Sequence, residues 1–312
     1  MSESDSTLEF VRSAGFPEAN WLASGMEGDV YRLNLDLIGK VWSRELDTPD
    51  SSSALFEELG NIGLPFAVPE PVRSIELGNG RLMAIEGFLP GSELDALYVP
   101  EEGRLSKDVI DALTVVLTSL RATDLVYDKY RVMNESSPYL GDYENWTDAL
   151  VGLVDRRLEQ FGTQLEAVVD NFDLVSRGLR DFVLSRRHIE PKLVHGDIFG
   201  GNILMSSDSS VSAVIDWGFL TIPADPVFDA AIAAGVFDLY GPHSRETETQ
   251  LTDAFCESLG YTHRDMAAYK GIYALITSNA YDPEGRDGHF DWCAKMLQRA
   301  DVQSAALATL EA

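Results

Sequence analysis

Three polar side chains that could carry phosphoryl-transfer chemistry stand close together between positions 193 and 218. Asp197 is followed five positions later by Asn202, and Asp216 comes further along the same stretch. Phosphoryl transfer from a nucleotide needs a carboxylate that orients a hydroxyl and accepts its proton, and oxygen ligands that hold Mg²⁺ on the phosphates. We assign the first task to Asp197 and the second to Asn202 and Asp216.

Short apolar runs flank these residues and predict the strands that position them. The runs cover residues 192–194, 203–205 and 211–215. Such runs, bounded by turn residues, are typical of buried strands. A lone Asp or Asn in a Gly-rich turn is more often a turn former. Three such residues at matching spacing, each at the end of a predicted strand, favour a site instead.

The motifs of this stretch resemble those of a known kinase family. Residues 195–197 read H-G-D, Asn202 follows after four residues, and residues 216–218 read D-W-G. Protein kinases carry H-R-D, four residues and Asn, and then D-F-G. The Gly and Trp variants make the chain similar to the aminoglycoside phosphotransferase family of small-molecule kinases, whose sequences read H-G-D-x-x-x-x-N and I-D-[WFY]-[GE].

This resemblance implies an α+β, protein-kinase-like bilobal fold. It implies a small, nucleotide-binding N-lobe with an antiparallel sheet at residues 1–90. A larger, mostly helical C-lobe at residues 91–312 would carry the catalytic loop, the metal site and the acceptor pocket. It also implies that His195 supports the catalytic loop and that Asp225 and Asp229, in a D-P-x-x-D segment, are mainly structural.

Candidate phosphate-binding residues lie near the start of the chain. Ser24, Gly25 and Gly28 fall in a turn between two predicted strands, where a kinase-like lobe covers the nucleotide phosphates. A simple turn is the commoner explanation for two glycines at this spacing. Lys40 alternates with apolar neighbours on the next predicted strand, which favours an ammonium group directed at the α- and β-phosphates. The alternative is a strand lysine that only extends into solvent.

The resemblance assigns the remaining nucleotide-site residues by their positions in a kinase-like lobe. A kinase lysine usually pairs with a glutamate on the next helix, and Glu58 lies beside the apolar stripe of a predicted helix over residues 54–59. Glu45 stays open as an alternative partner. Glu86 and Phe88 occupy the strand that leaves the small lobe, where backbone groups bind the adenine edge. The implied co-substrate is ATP (or GTP), with Mg²⁺ as cofactor.

Helices are predicted for most of the chain between residues 93 and 188, and near residues 227–239, 246–259, 264–279 and 290–312. Between them, residues 281–287 form an acidic loop that is well placed to meet a substrate, with a simple solvated loop as the alternative. Cys256 and Cys293 make neither a disulfide framework nor a zinc site, so buried thiols are expected.

The composition of the 312-residue chain excludes several functional classes. It carries 24 Lys and Arg against 51 Asp and Glu, a net charge of −27, which argues against nucleic-acid binding. The polar, acidic start and the lack of a long apolar run predict a cytoplasmic protein that neither carries a signal peptide nor contacts a membrane. Adaptation to high salt and attraction of cations to a cleft both explain the acidity. The oligomeric state is left open.

The activity that these features predict is transfer of the γ-phosphate of ATP (or GTP) to a hydroxyl group of a small molecule. A cationic acceptor such as an aminoglycoside suits the acidity and would make the protein an antibiotic-resistance enzyme. The family pattern also includes kinases of choline, homoserine, macrolides and sugars. A pseudokinase-like module that binds nucleotide without turnover is the alternative from another class.

Overall fold

The computed structural model describes residues 3–24, 28–42, 49–100, 103–124, 131–133, 135 and 137–310, with the side chains of residues 3–5, 42 and 49–54 excepted. The chain divides into two compact units. Met1–Gly91 and Ser212–Ile215 form the first unit, and Ser92–Val211 and Asp216–Ala312 form the second. The sequence predicted a division near residue 90 but did not predict that residues 212–215 group with the first unit.

The elements of the first unit are α1 (Glu3–Ser13), β1 (Asn20–Ser24), β2 (Gly28–Arg32), β3 (Leu37–Trp42), α2 (Pro49–Ile62), β4 (Pro71–Glu76) and β5 (Leu82–Gly87). Its five strands form an antiparallel sheet in the order β1-β2-β3-β5-β4. Val11 of α1 packs with Tyr31, Val41 and Met83 in a buried core beneath the sheet. Pro71 opens β4 at the sheet edge, where a missing N–H costs no ladder bond.

The second unit is mostly helical. Its helices are α3 (Lys107–Arg121), α4 (Trp146–Glu166), α5 (Phe172–Ser185), α6 (Val227–Val236), α7 (Ser244–Leu259), α8 (His263–Thr277), α9 (Gly288–Gln298) and α10 (Ala300–Leu310). Helix α8 lies at the centre, because it contacts α4, α5, α6, α7, α9 and α10 and is buried from Met266 to Thr277. Side chains of Ser106, Asn145, Thr262 and Asp287 accept N–H groups at helix starts, which fixes where α3, α4, α8 and α9 begin.

The prediction of one helix near residues 290–312 is wrong. The segment forms α9 and α10, and Arg299 between them has an extended backbone with φ −67° and ψ 139°. Its guanidinium group lies 2.7 and 2.9 Å from the two carboxylate oxygens of Glu248 and also contacts Asp301. Glu248 is 5% exposed and binds the Lys270 ammonium group as well. The break lets Arg299 neutralise a buried carboxylate, whose burial would otherwise be costly.

Short strands carry the predicted chemistry-bearing stretch. They are β6 (Ser92–Glu93), β7 (Lys192–Val194), β8 (Ile203–Met205), β9 (Val211–Val214) and β10 (Ile222–Ala224). Strands β7 and β10 pair antiparallel, as do β6 and β8. The three strands predicted in this stretch are confirmed, and so is the α+β class. Cys256 and Cys293 are free thiols. None of the helices among the described residues has the length and apolarity that crossing a membrane requires.

Candidate active site

Asp197 and Asn202 lie in contact on the loop that joins β7 to β8. The Asn202 side-chain amide donates to the main-chain oxygen of Asp197 at 2.9 Å and to its carboxylate oxygen Oδ2 at 3.2 Å. The short 3₁₀ helix Gly200–Asn202 brings the two residues together. Because the amide N–H group faces Asp197, the carbonyl oxygen of Asn202 is the atom left to bind a cation. Asp197 itself is half-buried.

A buried carboxylate on α6 holds the start of this loop. The two oxygens of Asp229 accept the backbone N–H groups of His195 and Gly196, each at 2.8 Å. Asp229 is 1% exposed. Burial raises its pKa to about 7, although the two N–H groups act in the opposite direction. The D-P-x-x-D segment was predicted to be mainly structural, and the geometry shows how one of its aspartates acts on the loop.

Gly196 explains why this chain carries H-G-D rather than H-R-D. The residue has φ +82°, a left-handed conformation that side chains disfavour. A Cβ atom there would lie 2.1 Å from the main-chain oxygen of Leu220. The left-handed backbone and the close Leu220 oxygen both exclude a larger residue at this position, as long as the backbone N–H of Gly196 points at Asp229.

His195 and Thr221 connect the loop to the D-W-G turn. The Nδ1 atom of His195 accepts the backbone N–H of Asp197 at 3.2 Å, and its ring centroid lies 4.4 Å from that of Trp217. The hydroxyl of Thr221 donates to the main-chain oxygen of His195 and accepts the N–H of Gly218, both at 2.9 Å. Both motifs are therefore fixed to each other by buried polar contacts. Thr221 was missed in the sequence, where a single threonine after a turn gives no signal.

Asp216 stands at the start of that turn. It is exposed and has φ +60°, a conformation that Asp and Asn adopt more readily than other non-glycine residues. Its carboxylate and the carbonyl oxygen of Asn202 are hard oxygen donors of the kind that Mg²⁺ takes. Mg²⁺ commonly uses only one or two protein ligands and completes its shell with water and phosphate oxygens. The donor set therefore fits a magnesium ion.

Asp95 is a second carboxylate near the loop that sequence analysis missed. Its Oδ1 atom lies 1.6 Å from the place where a Cβ atom of Gly200 would stand, so a larger residue at position 200 would displace the Asp95 carboxylate. Burial raises the pKa of Asp95 to about 6, and the charges of Glu93 and Asp238 add to this effect. Nothing in the sequence connects residues so far apart, and contact between them appears only in the fold.

In the first unit, the predicted phosphate-binding residues lie on adjacent strands. Ser24 ends β1 and Gly28 begins β2, while Gly25 lies outside the described residues. The Ser24 hydroxyl contacts the carboxylate of Asp29. Lys40 lies on β3 in register with neighbours on β2 and β5, and it is half-buried. The strand alternation puts its side chain on the face opposite the buried Val41.

The other predicted nucleotide residues occupy α2, β5 and the segment that follows. Glu58 is half-buried and precedes the fully buried Leu59 on α2, while Glu45 lies outside the described residues. Glu86 is 3% exposed and pairs in β5 with residues of both neighbouring strands. This places its backbone in the interior of the sheet.

Phe88 is held by contacts within the first unit. Its backbone N–H donates to the main-chain oxygen of Asp36 at 2.8 Å. The guanidinium carbon of Arg32 lies 3.1 Å from the centroid of the Phe88 ring, a cation–π contact. A base that used this N–H would have to replace the bond to Asp36.

The loop, its aspartate–asparagine pair and the aspartate of the following turn define a kinase-like phosphotransferase. Residues 19–272 match the model of the phosphotransferase enzyme family, APH. The chain belongs to this family, which confirms the predicted family and the predicted class of enzyme, a small-molecule kinase. No curated protein matches the sequence.

Solved structures of aminoglycoside phosphotransferases share the fold. A thermostable mutant of APH(4)-Ia, in a ternary complex with ADP and hygromycin B, matches with a TM-score of 0.65 and 19% identity, over 98% of each chain. The gentamicin complex of APH(2")-IIa matches with a TM-score of 0.63 and 15% identity, over 97% of this chain and 98% of the other. The protein-kinase-like fold predicted from the motifs is thereby confirmed.

Proposed function

We propose that this phosphotransferase moves the γ-phosphate of ATP (or GTP) to a hydroxyl group of a small molecule. The observation that carries the proposal is the Asp197 carboxylate, which is half-buried and held by the Asn202 amide. The loop that bears both residues is anchored through Asp229. A carboxylate fixed in this way is suited to orient an acceptor hydroxyl and receive its proton.

The side chains of this chain divide the work between the acceptor and the nucleotide. Asp197 positions the attacking oxygen, and Asn202 keeps the carboxylate in place while its carbonyl oxygen serves as a ligand for a cation. Asn202 and Asp216 would hold Mg²⁺, which when bound would supply positive charge that stabilises the transferred group. His195 acts through the loop backbone, since its Nδ1 atom accepts the N–H of Asp197.

The first unit would bind the nucleotide. Lys40 contacts the α- and β-phosphates with Glu58 as its partner, and the turn from Ser24 to Gly28 covers the phosphates. Glu86 and Phe88 bind the base, with the Phe88 N–H exchanging its bond to Asp36 for one to adenine. The ADP complex of the APH(4)-Ia mutant supports a nucleotide co-substrate.

Aminoglycosides are candidate acceptors because the similar solved structures include complexes with hygromycin B and gentamicin. The net charge of −27 favours a cationic acceptor on electrostatic grounds. An aminoglycoside acceptor would make the protein an antibiotic-resistance enzyme.

A turnover assay tests the proposal. ADP formation is measured with ATP, Mg²⁺ and a panel of aminoglycosides, macrolides, choline and amino alcohols, and products are examined by mass spectrometry. We expect one acceptor class to stimulate ADP formation at least about tenfold over basal hydrolysis and to appear in phosphorylated form. Tight nucleotide binding with neither stimulation nor phosphorylated product would favour a binding module instead.

A further inference from the structure

A groove lies on the second unit between helix α9 and the turn that joins α4 to α5. Its volume is about 380 Å³, a size at which small molecules bind proteins. Three apolar side chains line it, those of Val168, Phe290 and Ala294. Phe290 and Ala294 are 6% and 9% exposed, whereas Val168 is 45% exposed. The groove therefore leaves apolar surface open to solvent, which a ligand with an apolar group could cover.

Polar contacts fix the walls of this groove. The Gln298 side-chain amide donates to the main-chain oxygen of Val168, which ties α9 to the turn after α4. The Arg299 guanidinium binds both carboxylate oxygens of Glu248, at 2.7 and 2.9 Å, and an oxygen of Asp301 at 3.0 Å. Because these carboxylates engage its N–H groups, Arg299 shapes the groove but is not its ligand-binding cation. The groove is thus formed before a ligand enters.

Two side chains of opposite charge also line the groove, one helical turn apart. Asp291 and Lys295 occupy positions i and i+4 of α9, so their Cβ atoms are about 6 Å apart. Both are exposed, and neither forms an ion pair with another described residue. On α3, by contrast, Lys107 and Asp111 contact each other at the same spacing. The order of acid and base on α9 is the better one for pairing, yet both charges there stay available to a ligand.

The lining of the groove is complementary to a zwitterion with an apolar group. A free amino acid carries an ammonium and a carboxylate group on one carbon atom, so it can meet both charges of α9 at once. The groove also differs from the surface as a whole. In a chain with a net charge of −27, general attraction acts on cations and would not use Lys295.

We infer that the groove on α9 binds a free amino acid with an apolar side chain. Lys295 binds its carboxylate, and Asp291 binds its ammonium group. Val168, Phe290 and Ala294 contact its side chain. This binding is separate from the proposed phosphoryl transfer, so it is measured without nucleotide or acceptor, and neither result depends on the other.

The test is calorimetric titration of the full-length protein with L-phenylalanine at fixed ionic strength. We expect a Kd on the order of 0.1–1 mM, as is usual for a ligand of this size. Three matched probes each lack one part of phenylalanine: 3-phenylpropionate lacks the ammonium group, phenethylamine lacks the carboxylate, and glycine lacks the side chain. The first two should bind about fivefold more weakly than phenylalanine, and glycine at least about tenfold more weakly.

The probes also define the results that would overturn the inference. Phenethylamine that binds as tightly as phenylalanine would mean that the net charge of the protein attracts any cation. Glycine that binds as tightly would remove the apolar surface from the site. Absence of phenylalanine binding up to about 10 mM would mean that the groove holds only solvent.

Two conservative variants assign the binding to the groove. Lys295→Met should weaken phenylalanine binding about fivefold and leave phenethylamine unchanged, because that probe has no carboxylate. Asp291→Asn should weaken phenylalanine equally and leave 3-phenylpropionate unchanged. Lys107→Met, which removes an exposed lysine from α3, is the control and should bind as the wild type does. Melting temperatures confirm that the variants are folded. Unchanged phenylalanine affinity in both α9 variants would overturn the inference.

Discussion

The loop that carries the proposed catalytic residues in the second unit and the proposed nucleotide-binding elements of the first unit are held in different ways. The loop from residue 195 to 202 is fixed by side-chain hydrogen bonds to its own backbone, from Asp229, Asn202 and Thr221. In the first unit, the predicted nucleotide contacts come from backbone groups of the sheet and from residues such as Lys40, whose positions are set by the strand register.

This difference predicts how each region responds to substitution. A loop held by specific side chains concentrates its function in few positions, so single changes there should abolish turnover or stability. A sheet distributes its stability over many ladder bonds, so single changes there should weaken nucleotide binding and leave the fold intact.

Replacing the proposed base should have the largest effect on activity. Asp197→Asn keeps the side-chain shape but cannot accept the proton, so kcat should fall by roughly 10³-fold. Nucleotide affinity should stay within about twofold, since the first unit is untouched. Steady-state kinetics and nucleotide titration provide the two measurements. Asp155→Asn, which neutralises an exposed carboxylate paired with Arg180, is the control and should retain wild-type kcat.

A matched glycine pair tests the anchoring of the loop. Gly196→Ala should cost about 3 kcal/mol or more, because the new Cβ meets the Leu220 oxygen and the backbone is left-handed. Gly260→Ala has a similar φ of +75° but open space around the Cβ, so it should cost only about 1 kcal/mol. Thermal unfolding of the two variants gives the comparison. Equal losses would mean that backbone strain alone, and not the loop contact, decides the cost.

Removal of the proposed phosphate contact should affect binding more than stability. Lys40→Met retains the apolar stem but loses the charge, so the Kd for nucleotide should rise roughly 10- to 100-fold. The melting temperature should change by only a degree or two. Calorimetric titration and a thermal melt measure both quantities. A large loss of stability with unchanged Kd would show that the two regions do not differ as described.

The carboxylate packed on Gly200 should make a smaller, pH-dependent contribution. The pKa of Asp95 is raised to about 6, so its ionisation opposes folding. Below the unfolded pKa of about 4, Asp95 is neutral in both states and its full contribution to stability is present. This stability is lost as the pH rises through about 6. Asp95→Asn should thus stabilise the protein by about 1 kcal/mol at pH 8, after allowance for partial exposure, and by little at pH 4. Melting curves of the wild type and the variant at both pH values measure this difference. An equal shift of the melting temperature at each pH would contradict the raised pKa of Asp95.

Much of the loop could be predicted from sequence because its determinants are local. Apolar runs of three or four residues between polar turns defined β7, β8 and β9, and the motif spacing placed Asp197 and Asn202 on one loop. The long-range contacts could not be predicted in this way. Asp95 meets Gly200 only after folding, and Arg299 interrupts a helical pattern to reach Glu248, which belongs to another helix.

The predictions for the nucleotide site show a second limit on what can be predicted from sequence alone. Residue types predict side-chain chemistry, but they do not reveal which backbone groups are already bonded. The Phe88 N–H, which the position in a kinase-like lobe assigned to adenine, donates to Asp36. Every non-proline residue carries the same backbone N–H donor, so whether that donor is available to a ligand depends on the tertiary structure alone.

The left-handed backbone of Asp216 has an evolutionary consequence. Asparagine adopts this conformation as readily as aspartate, and the two residues are separated by one base in their codons. A single mutation could therefore remove the charge of a proposed metal ligand without any backbone penalty. Lineages that lost the phosphotransferase reaction in this way would retain a folded protein, available for recruitment to other roles.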